Sequence, residues 1–500
     1  MRFRRGASAT LAVAALAVAA LAVAGGTAAV ADSDRANRQS INTEADYTPG
    51  KEFAPQAASS PCTGALDEPF MLPAGYDQQV VAREPEGGTR DLWDMNTQNE
   101  FGRDAGRYVY RTHETAGPGN SSQVSVTDLE QGDTKVLAQR DDWERFDGIV
   151  WTPHGTILAG EETTSQAMPD PQFPNSRAGL VYEFFVDPRD PDELRTDDPR
   201  DDVAPFDDGV AARPALGSKS HEGMRFDRHG NYYGISEVAP GGIFRFVPDR
   251  RGDLSEGTLQ VLDTDNGQDG PGRWIDIPDA AARTDAQAAA NAVSANGYSR
   301  PEDVETGRST GVDRNNGGNT LYVAITGTDD VLAVDLSSRS RPFAYFYVNN
   351  QPRPTNPTPN ADAQFDSPDN LALDRRGNLA ITEDPGGVPP AKQQGDDIWI
   401  AAPPRSSDGE GSRRRPARTV ARFASIRDCI AEPTGVYFAL EGTEEFTEGT
   451  PREDLVNDES LFVNRQHAGQ GTTLDQFVSI APPRMTVTMG TRATTTDPQR

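Results

Sequence analysis

Acidic residues recur at matching positions in three stretches of the sequence. The stretches are DGIVWTPHGTILAGEE from Asp147, EGMRFDRHGNYYGISE from Glu222 and DNLALDRRGNLAITED from Asp369. In each, an acid opens a run of strand-forming residues, a glycine follows eight positions later, and one or two further acids close a second run. Carboxylate oxygens suit Ca²⁺, and they suit iron or manganese where nitrogen or sulfur ligands join them. The spacing therefore predicts a metal site, provided that the fold brings these acids together.

The repeated stretches also predict the elements that position the acids. Each reads as a β-hairpin whose turn glycine supplies the positive φ that the turn requires. Two looser copies begin at Glu302 and Thr434, and a sixth candidate, GRYVYRTHET, ends at His113 and Glu114. Such hairpins along a long chain predict an all-β fold, a β-propeller of about six blades with loop and short helical insertions. A β-solenoid is the alternative.

In a propeller these acids would share one rim of the central channel. The start of the first strand and the end of the second lie side by side in a hairpin. Carboxylates gathered in this way repel each other by several kcal/mol unless cations neutralise them. Any single acid could simply cap a turn or face solvent, but the shared register favours metal binding. The predicted metal ligands are Glu114, Asp147, Glu161, Glu162, Glu222, Glu302, Asp369, Glu383 and Asp384, and Glu237 and Asp303 belong to the same rim.

The five histidines of the chain divide into two groups by the same register. His154 and His229 fall in the predicted turns, away from the rim, and we expect them to be exposed. His113, His221 and His467 could reach the rim. A hydrogen bond within a loop is the alternative for each of these three.

Arg300 is a cation among the rim acids, two residues before Glu302 in SRPEDVE. A guanidinium beside metal-binding carboxylates can hold a phosphate oxygen against a metal ion. A salt bridge to Glu302 or Asp303 is the alternative.

The ends of the chain differ from its middle. Residues 1–31 read as a secretory signal peptide, with the basic start MRFRR, the apolar run LAVAALAVAALAVA and a small-residue cleavage site. Residues 32–61 and 486–500 read as disordered, and residues 62–485 as one propeller domain. The helical pattern near Asp279–Val293 reads as a surface insertion. No later apolar run is long enough to span a bilayer, so we expect a secreted protein with no membrane attachment after cleavage.

Charge and cysteine content limit the partners. A formal net charge of −29 argues against nucleic acid and fits either a binder of hard cations or a protein adapted to salt. Cys62 and Cys429 are the two cysteines, and in an oxidising compartment we expect them to form a disulfide. A thiolate site or two free thiols are the alternatives. We expect a monomer.

Six motifs, taken in order, resemble the PhoX-type secreted alkaline phosphatases. They are THET, GTILAGEET, SHEG, RPEDVE, SPDNLALDRRGNLAITED and LFVNRQHAG, and the resemblance covers roughly Phe70 to Gly471. It implies a six-bladed propeller whose channel mouth holds an iron and calcium cluster that hydrolyses phosphomonoesters. It further implies that Glu222 and Glu302 are catalytic metal ligands and that Arg300, with His221 beside it, contacts the phosphate of a small-molecule ester.

One position departs from that family. Its T-C-E-E-N motif supplies a cysteine thiolate to the iron pair, whereas this chain has Gly160 and ends the motif with Thr163. Ca²⁺ is therefore the expected cofactor, and Fe³⁺ is the second candidate. The alternative functions are a non-catalytic, calcium-binding extracellular propeller and a lactonase-like propeller hydrolase, which would not need Arg300.

Overall fold

A computed structural model describes most of the chain between residues 53 and 482. The described ranges are 53–84, 91–102, 104–115, 122–195, 206–307, 319–349, 365–387, 389, 391–404, 414–440, 456, 459–467, 469 and 474–482. The predicted signal peptide, residues 32–52 of the predicted lead-in and the predicted tail lie outside them. Within these ranges no helix has both the length and the apolar character that a membrane span requires.

Strands dominate the described residues, in two four-stranded and two five-stranded sheets, one nine-stranded sheet and a two-stranded ribbon. The first four-stranded sheet has the strand order β3 (Trp93–Gln98), β4 (Tyr108–His113), β5 (Gln123–Asp128) and β6 (Thr134–Gln139). The second has the order β2 (Asp77–Arg83), β29 (Gln476–Ala481), β28 (Leu461–Gln466) and β27 (Glu432–Phe438). The first five-stranded sheet has the strand order β12 (Phe206–Asp207), β13 (Val210–Ala212), β9 (Val181–Phe184), β8 (Ile157–Glu161) and β7 (Phe146–Trp151). The second has the order β1 (Phe70–Met71), β26 (Thr419–Ile426), β25 (Asp397–Ala402), β24 (Leu379–Glu383) and β23 (Pro368–Leu373).

The nine-stranded sheet occupies the middle of the chain. It runs β14 (Met224–Phe226), β15 (Tyr232–Ile235), β16 (Ile243–Pro248), β17 (Gly257–Thr264), β18 (Gly270–Asp276), β22 (Phe343–Asn349), β21 (Asp330–Asp335), β20 (Thr320–Ile325) and β19 (Pro301–Glu305). The ribbon pairs β10 (Val186–Asp187) with β11 (Asp190–Leu194), and the helices are α1 (Asp279–Ala292) and 3₁₀ turns at Pro214–Leu216 and Thr326–Thr328.

The all-β prediction is confirmed, and the sheets have a propeller-like arrangement, but the predicted number of blades is wrong. Among the described residues, four sheets of four or five strands stand as separate blades, not six. The physical reason is a short pairing between β18 and β22, in which Gly270 pairs with Ala344 and Pro271 with Phe343. This pairing merges all the remaining long strands into the nine-stranded sheet.

The innermost strands pack against one another in a closed ring. β3 contacts β7, and the ring continues through β14, β19, β23 and β27 back to β3. Hydrogen bonds cross between neighbours: Leu371 N–H donates to Asp303 Oδ2 at 2.8 Å, and Gly435 N–H donates to Asn370 Oδ1 at 2.6 Å. In β7, β14, β19 and β23 the first strand of a predicted hairpin is thus innermost, which directs its opening acid toward the channel.

Strands near the channel are buried on both faces. Every residue of β4 and of β7 is buried, because neighbouring sheets cover each side of a blade. Where two sheets meet, Tyr110, Ile149 and Tyr182 pack in one such apolar layer. The strands therefore show weaker hydrophobic alternation than a sheet with one wet face would show.

Two of the hairpin turns are fixed by aspartate side chains. Asp227 accepts hydrogen bonds from the backbone N–H of His229 and Asn231 at 2.8 and 2.9 Å, and Asp374 makes the same contacts in the hairpin that begins at Asp369. The turn glycine of this motif, Gly230, has φ 83°. His229 is exposed in this turn, at the opposite end of the hairpin from the rim.

Helix α1 differs from the predicted surface insertion. It spans Asp279–Ala292, close to the predicted range, but Ala282, Ala286 and Ala290 on one face are buried in an apolar cluster with Leu259 of β17. Small alanine side chains allow the helix to lie close to this sheet.

The two ends of the described chain meet in the same region. β2 pairs with β29, β1 pairs with β26, and Cys62 forms a disulfide with Cys429. Strands from the start of the domain therefore complete two sheets built from its end, and the disulfide links residues 367 positions apart.

Removing this disulfide should lower stability, because it restrains a very long loop in the unfolded chain. We expect a Cys62→Ser/Cys429→Ser variant to lose about 2–5 kcal/mol in free energy of unfolding, measured by denaturant titration. Reductant should destabilise the wild-type protein and leave the double variant unchanged. Equal stability of the oxidised wild type and the variant would contradict the prediction.

Candidate metal centre

A cavity of about 500 Å³ lies where the rim acids of the ring converge. Ten carboxylates and three basic side chains line it, which leaves a formal excess of seven negative charges. The acids are Asp94, Glu114, Asp147, Glu162, Glu222, Glu237, Glu302, Asp369, Asp384 and Glu432, and the basic residues are Arg145, Arg300 and Lys392.

β-Bulges aim four of these acids into the cavity. In β7, Asp147 and Gly148 together oppose the single residue Gly160 of β8. An extra residue of this kind bends the strand and redirects its side chain, so the acid leaves the regular pattern of the sheet. The same irregularity recurs in β3, β19 and β23, at Asp94–Met95, Glu302–Asp303 and Asp369–Asn370.

A second repeated feature precedes the bulges. Arg145, Arg300 and Ser367 each lie two residues before a rim acid, and all three have left-handed backbones, with φ of 46°, 54° and 43°. For a residue other than glycine this conformation costs about 1–2 kcal/mol, and it persists where the surroundings fix it. Here the backbone carbonyl of each accepts a hydrogen bond from the residue just after the neighbouring strand. The donors are the N–H of Glu162 to Arg145 at 2.8 Å, of Thr326 to Arg300 at 3.1 Å and of Asp384 to Ser367 at 3.0 Å.

Three glutamates form the tightest group in the cavity. One carboxylate oxygen from each of Glu222, Glu237 and Glu302 lies within 4.8 Å of the others. Asp147 Oδ1, Glu237 Oε2 and Glu302 Oε2 are buried and accept no hydrogen bond from any described residue. Buried carboxylate oxygens without partners are costly, and a bound cation would satisfy them. The donor set, which is all oxygen, fits a hard cation such as Ca²⁺.

Burial perturbs the titration of these acids. It raises the pKa of Asp147, Glu222, Glu302 and Asp369 well above the usual carboxyl range, and neighbouring carboxylates add to the effect. It raises the pKa of Glu114 to about 7, although the charge of Arg145 opposes this. Without a cation, several of these groups would keep their protons at neutral pH, and a bound cation would displace them.

Arg300 reaches over this group of acids from the left-handed position before β19. Its Nη2 lies 2.8 Å from Glu237 Oε1, and its Nε lies 3.0 Å from Glu302 Oε1. Burial lowers the pKa of Arg300, but the charges of Glu302 and Glu237 outweigh it and raise the pKa above the ordinary value. The Arg300 side chain is 44% exposed, so its remaining donors are accessible from the cavity mouth.

The structure brings most of the predicted site residues together. Arg300 lines the cavity, and so do the predicted ligands Glu114, Asp147, Glu162, Glu222, Glu302, Asp369 and Asp384. His467 also lines the cavity, with its Nε2 3.0 Å from Glu432 Oε1.

Glu161 and Glu383 point away from the cavity instead. Adjacent strand residues face opposite sides, so Glu161 turns from the cavity that Glu162 lines. Glu161 accepts hydrogen bonds from the backbone N–H of Glu144 and Leu180, at 3.1 and 2.9 Å. Glu383 accepts one from Trp399 Nε1 at 2.7 Å.

Two of the predicted rim histidines are also placed elsewhere. His221 is buried, and its Nε2 lies 2.9 Å from the carbonyl oxygen of Gly217. His113 is held by Asp91 at 2.5 Å and Ser125 at 2.7 Å. For both, the alternative of a local hydrogen bond describes the structure.

Several cavity residues are absent from the sequence prediction, although three of them carried a signal. The sixth predicted hairpin starts at Gly106, whereas its opening acid, Asp94, lies one strand upstream. Glu432 lies two residues before the predicted start at Thr434. Arg145 stands two residues before Asp147, as Arg300 does before Glu302. The further lining residues Asn370, Lys392 and Gln466 have no distinguishing pattern.

Comparison with known proteins gives one family match and several similar folds. A family model described as alkaline phosphatase PhoX matches residues 147–443, more than half of the chain. No curated protein matches the sequence. The structure of Pseudomonas fluorescens PhoX, in complex with vanadate as a transition state analogue, is 17% identical, covers 85% of this chain and 97% of that chain, and has a TM-score of 0.52. At this level of identity, the similarity supports the assignment of the fold and not of the activity.

Two further solved structures are similar at lower scores. A gluconolactonase from Xanthomonas campestris is 10% identical and covers 85% of this chain and 99% of that chain, with a TM-score of 0.41. The major Malassezia sympodialis allergen Mala s 1 is 10% identical and covers 79% of this chain and 97% of that chain, with a TM-score of 0.39.

The raised pKa values predict a pH dependence that calcium should remove. In the metal-free protein, an unfolded chain would release the Glu114 proton near pH 4.5, whereas the folded chain keeps it to about pH 7. The unfolded state therefore binds fewer protons in this window, and the free energy of unfolding should fall as pH rises through it. Saturating Ca²⁺ should raise the melting temperature at pH 7 and release protons on binding.

Calorimetric titration with Ca²⁺ in two buffers of different ionisation enthalpy would count the protons released. A Glu302→Gln variant should bind Ca²⁺ more weakly, because it removes a buried charge from the cavity. An Asp263→Asn variant is the matched control, since Asp263 pairs with Arg273 and does not line the cavity. Calcium that changes neither stability nor proton count would contradict the prediction.

Proposed function

Because the chain belongs to the alkaline phosphatase PhoX family, we propose that it is an exported, metal-dependent phosphatase that hydrolyses phosphomonoesters at the candidate metal centre. The observation that carries this proposal is the set of buried oxygens on Asp147, Glu237 and Glu302 to which no described residue donates a hydrogen bond, beside the guanidinium of Arg300. The buried carboxylate oxygens need a cation, and the guanidinium of Arg300 suits an anion. A phosphate ester bound to a metal ion satisfies both requirements.

The ligands that we assign to the metal are Glu222, Glu237, Glu302, Asp147 and Asp369. A bound cation would supply Lewis acidity toward a phosphoryl oxygen and a more acidic coordinated water. The carboxylates hold this charge in a site that is mostly buried, which limits competition from solvent.

Arg300 would bind the phosphate from the mouth of the cavity. Its contacts to Glu237 and Glu302 fix the plane of the guanidinium before substrate arrives. A preorganised guanidinium can donate two parallel hydrogen bonds to a phosphate and stabilise the charge that develops in the reaction. We assign no substrate contact to His221, because its side chain is buried.

We propose Ca²⁺ as the metal, on the basis of the packing around Gly160. A Cβ atom at residue 160 would lie 2.7 Å from the Cβ of His221 and 3.4 Å from Met224 Cε. The space that a cysteine thiolate would need is therefore occupied by His221. An all-oxygen donor set without a soft ligand favours calcium over iron.

A calcium-stabilised propeller without turnover is the second candidate function. The packing of His221 against Gly160 favours it, since the position at which the family supplies a thiolate holds no side chain. This candidate shares the metal-binding residues and differs only in catalysis.

The phosphatase proposal is tested by metal analysis together with assays of phosphomonoester hydrolysis. We expect calcium in protein purified without added metal, turnover of an aryl phosphate, and loss of turnover with a chelator. Glu302→Gln and Arg300→Ala should each lower kcat/KM by about a hundredfold or more, and Asp263→Asn should not. No turnover with added Ca²⁺ and Fe³⁺ at any pH, combined with calcium-dependent stability, would establish the second candidate instead.

Gly160 gives a separate test of the calcium assignment. Gly160→Cys should lower the free energy of unfolding by about 1–3 kcal/mol, because the new side chain overlaps His221. It should also leave the iron content near zero. A stable Gly160→Cys protein that gains stoichiometric iron would show that the cavity can accept the thiolate.

A further inference from the structure

We propose that Arg145 is a second phosphate-binding arginine, which acts with Arg300 to select the terminal phosphate of a monoester. This inference rests on the proposed phosphatase function. It assigns to Arg145 a contact that neither its sequence motif nor the family match provides.

The first support is the equivalence of the two backbone positions. Arg145 and Arg300 both lie two residues before a rim acid, and their φ values differ by only 8°, at 46° and 54°. Both line the same cavity. The carbonyl of Arg145 accepts from Glu162 N–H, in the way that the carbonyl of Arg300 accepts from Thr326 N–H. Two inner strands thus present an arginine to the cavity from the same local geometry.

The second support is that no described residue holds the Arg145 guanidinium closely. Its side chain donates no hydrogen bond to a described residue, and its ion pair with Glu162 is long, with Nη1 to Oε2 at 4.0 Å. The side chain is 54% exposed. By contrast, Arg300 is held by two carboxylates, and Lys392 Nζ lies 2.6 Å from Asp396 Oδ2. Among the basic residues described at the cavity, Arg145 has the most donors left for a ligand.

The third support is a chain of contacts between the two arginines. Glu162 and Glu237 are close enough that Glu237 raises the pKa of the buried Glu162, and Glu237 Oε1 lies 2.8 Å from Arg300 Nη2. Arg145 therefore lies beside one of these two neighbouring glutamates, and Arg300 beside the other. The charges of Glu114 and Glu162 attract the Arg145 guanidinium, which keeps it near the cavity.

The arrangement identifies the kind of phosphate that fits. Two guanidiniums carry two positive charges, which match a monoester dianion with its three non-bridging oxygens better than a diester, which has a single negative charge and two such oxygens. Two arginines flanking the metal site thus favour monoesters over diesters.

The test is equilibrium binding of inorganic phosphate to the full-length, calcium-loaded protein, measured by calorimetry. We expect Arg145→Gln to weaken phosphate binding by about tenfold or more, with unchanged calcium content. Arg145→Lys should lose less, because it keeps the charge and loses the planar fork. The matched control is Arg414→Gln, an arginine of similar exposure that is paired with Asp335 and does not line the cavity.

Steady-state kinetics provide the second readout. Arg145→Gln should lower kcat/KM for an aryl phosphate monoester more than for the corresponding diester, which reduces the preference for the monoester. Unchanged phosphate affinity in a folded, calcium-loaded Arg145→Gln protein would overturn the role of Arg145 and leave the phosphatase proposal intact. A wild-type protein that binds no phosphate when loaded with calcium would overturn both.

Discussion

Repulsion among buried carboxylates is the constraint on which this structure depends. Ten acids face one cavity, with three basic side chains among them, and the described part of the protein leaves oxygens of Asp147, Glu237 and Glu302 without partners. Burial makes each charge more costly and also strengthens the attraction of the group for a cation. The protein must therefore either keep protons on these acids or bind metal. Burial raises the pKa of Glu114 to about 7, which places the titration of this one carboxyl close to neutral pH.

The ring of inner strands is what concentrates this charge. Each strand contributes little by itself, since an inner strand supplies one or two acids. A bulge directs the acid inward, and the left-handed residue two positions earlier fixes where the strand begins. The disulfide and the pairing of β2 with β29 then join the start of the described chain to its end. Local strain and closure of the ring are thus both required for the cavity.

The sequence was sufficient to predict the hairpins and most of the acids, because register within a repeat is a local property. It could not predict which member of Glu161–Glu162 or Glu383–Asp384 faces the cavity, since adjacent strand residues face opposite sides and the sequence does not say which side meets the channel. It could not predict the nine-stranded sheet either, because the β18–β22 pairing joins residues that are distant in the chain. The orientation of His221 depends on packing against Gly160, which has no sequence pattern.

The left-handed residues before the inner strands have a consequence for how such a protein can diverge. Positions 145, 300 and 367 share one backbone geometry, yet two carry arginine and one carries serine. Arg145 and Arg300 line the cavity, whereas Ser367 does not, so a charge-changing mutation at position 145 or 300 alters the charge at the cavity mouth without replacing any of the ten carboxylates. Under the proposed function, the residues assigned to phosphate and those assigned to metal thus occupy separate positions, so selection could change the first set without replacing the second.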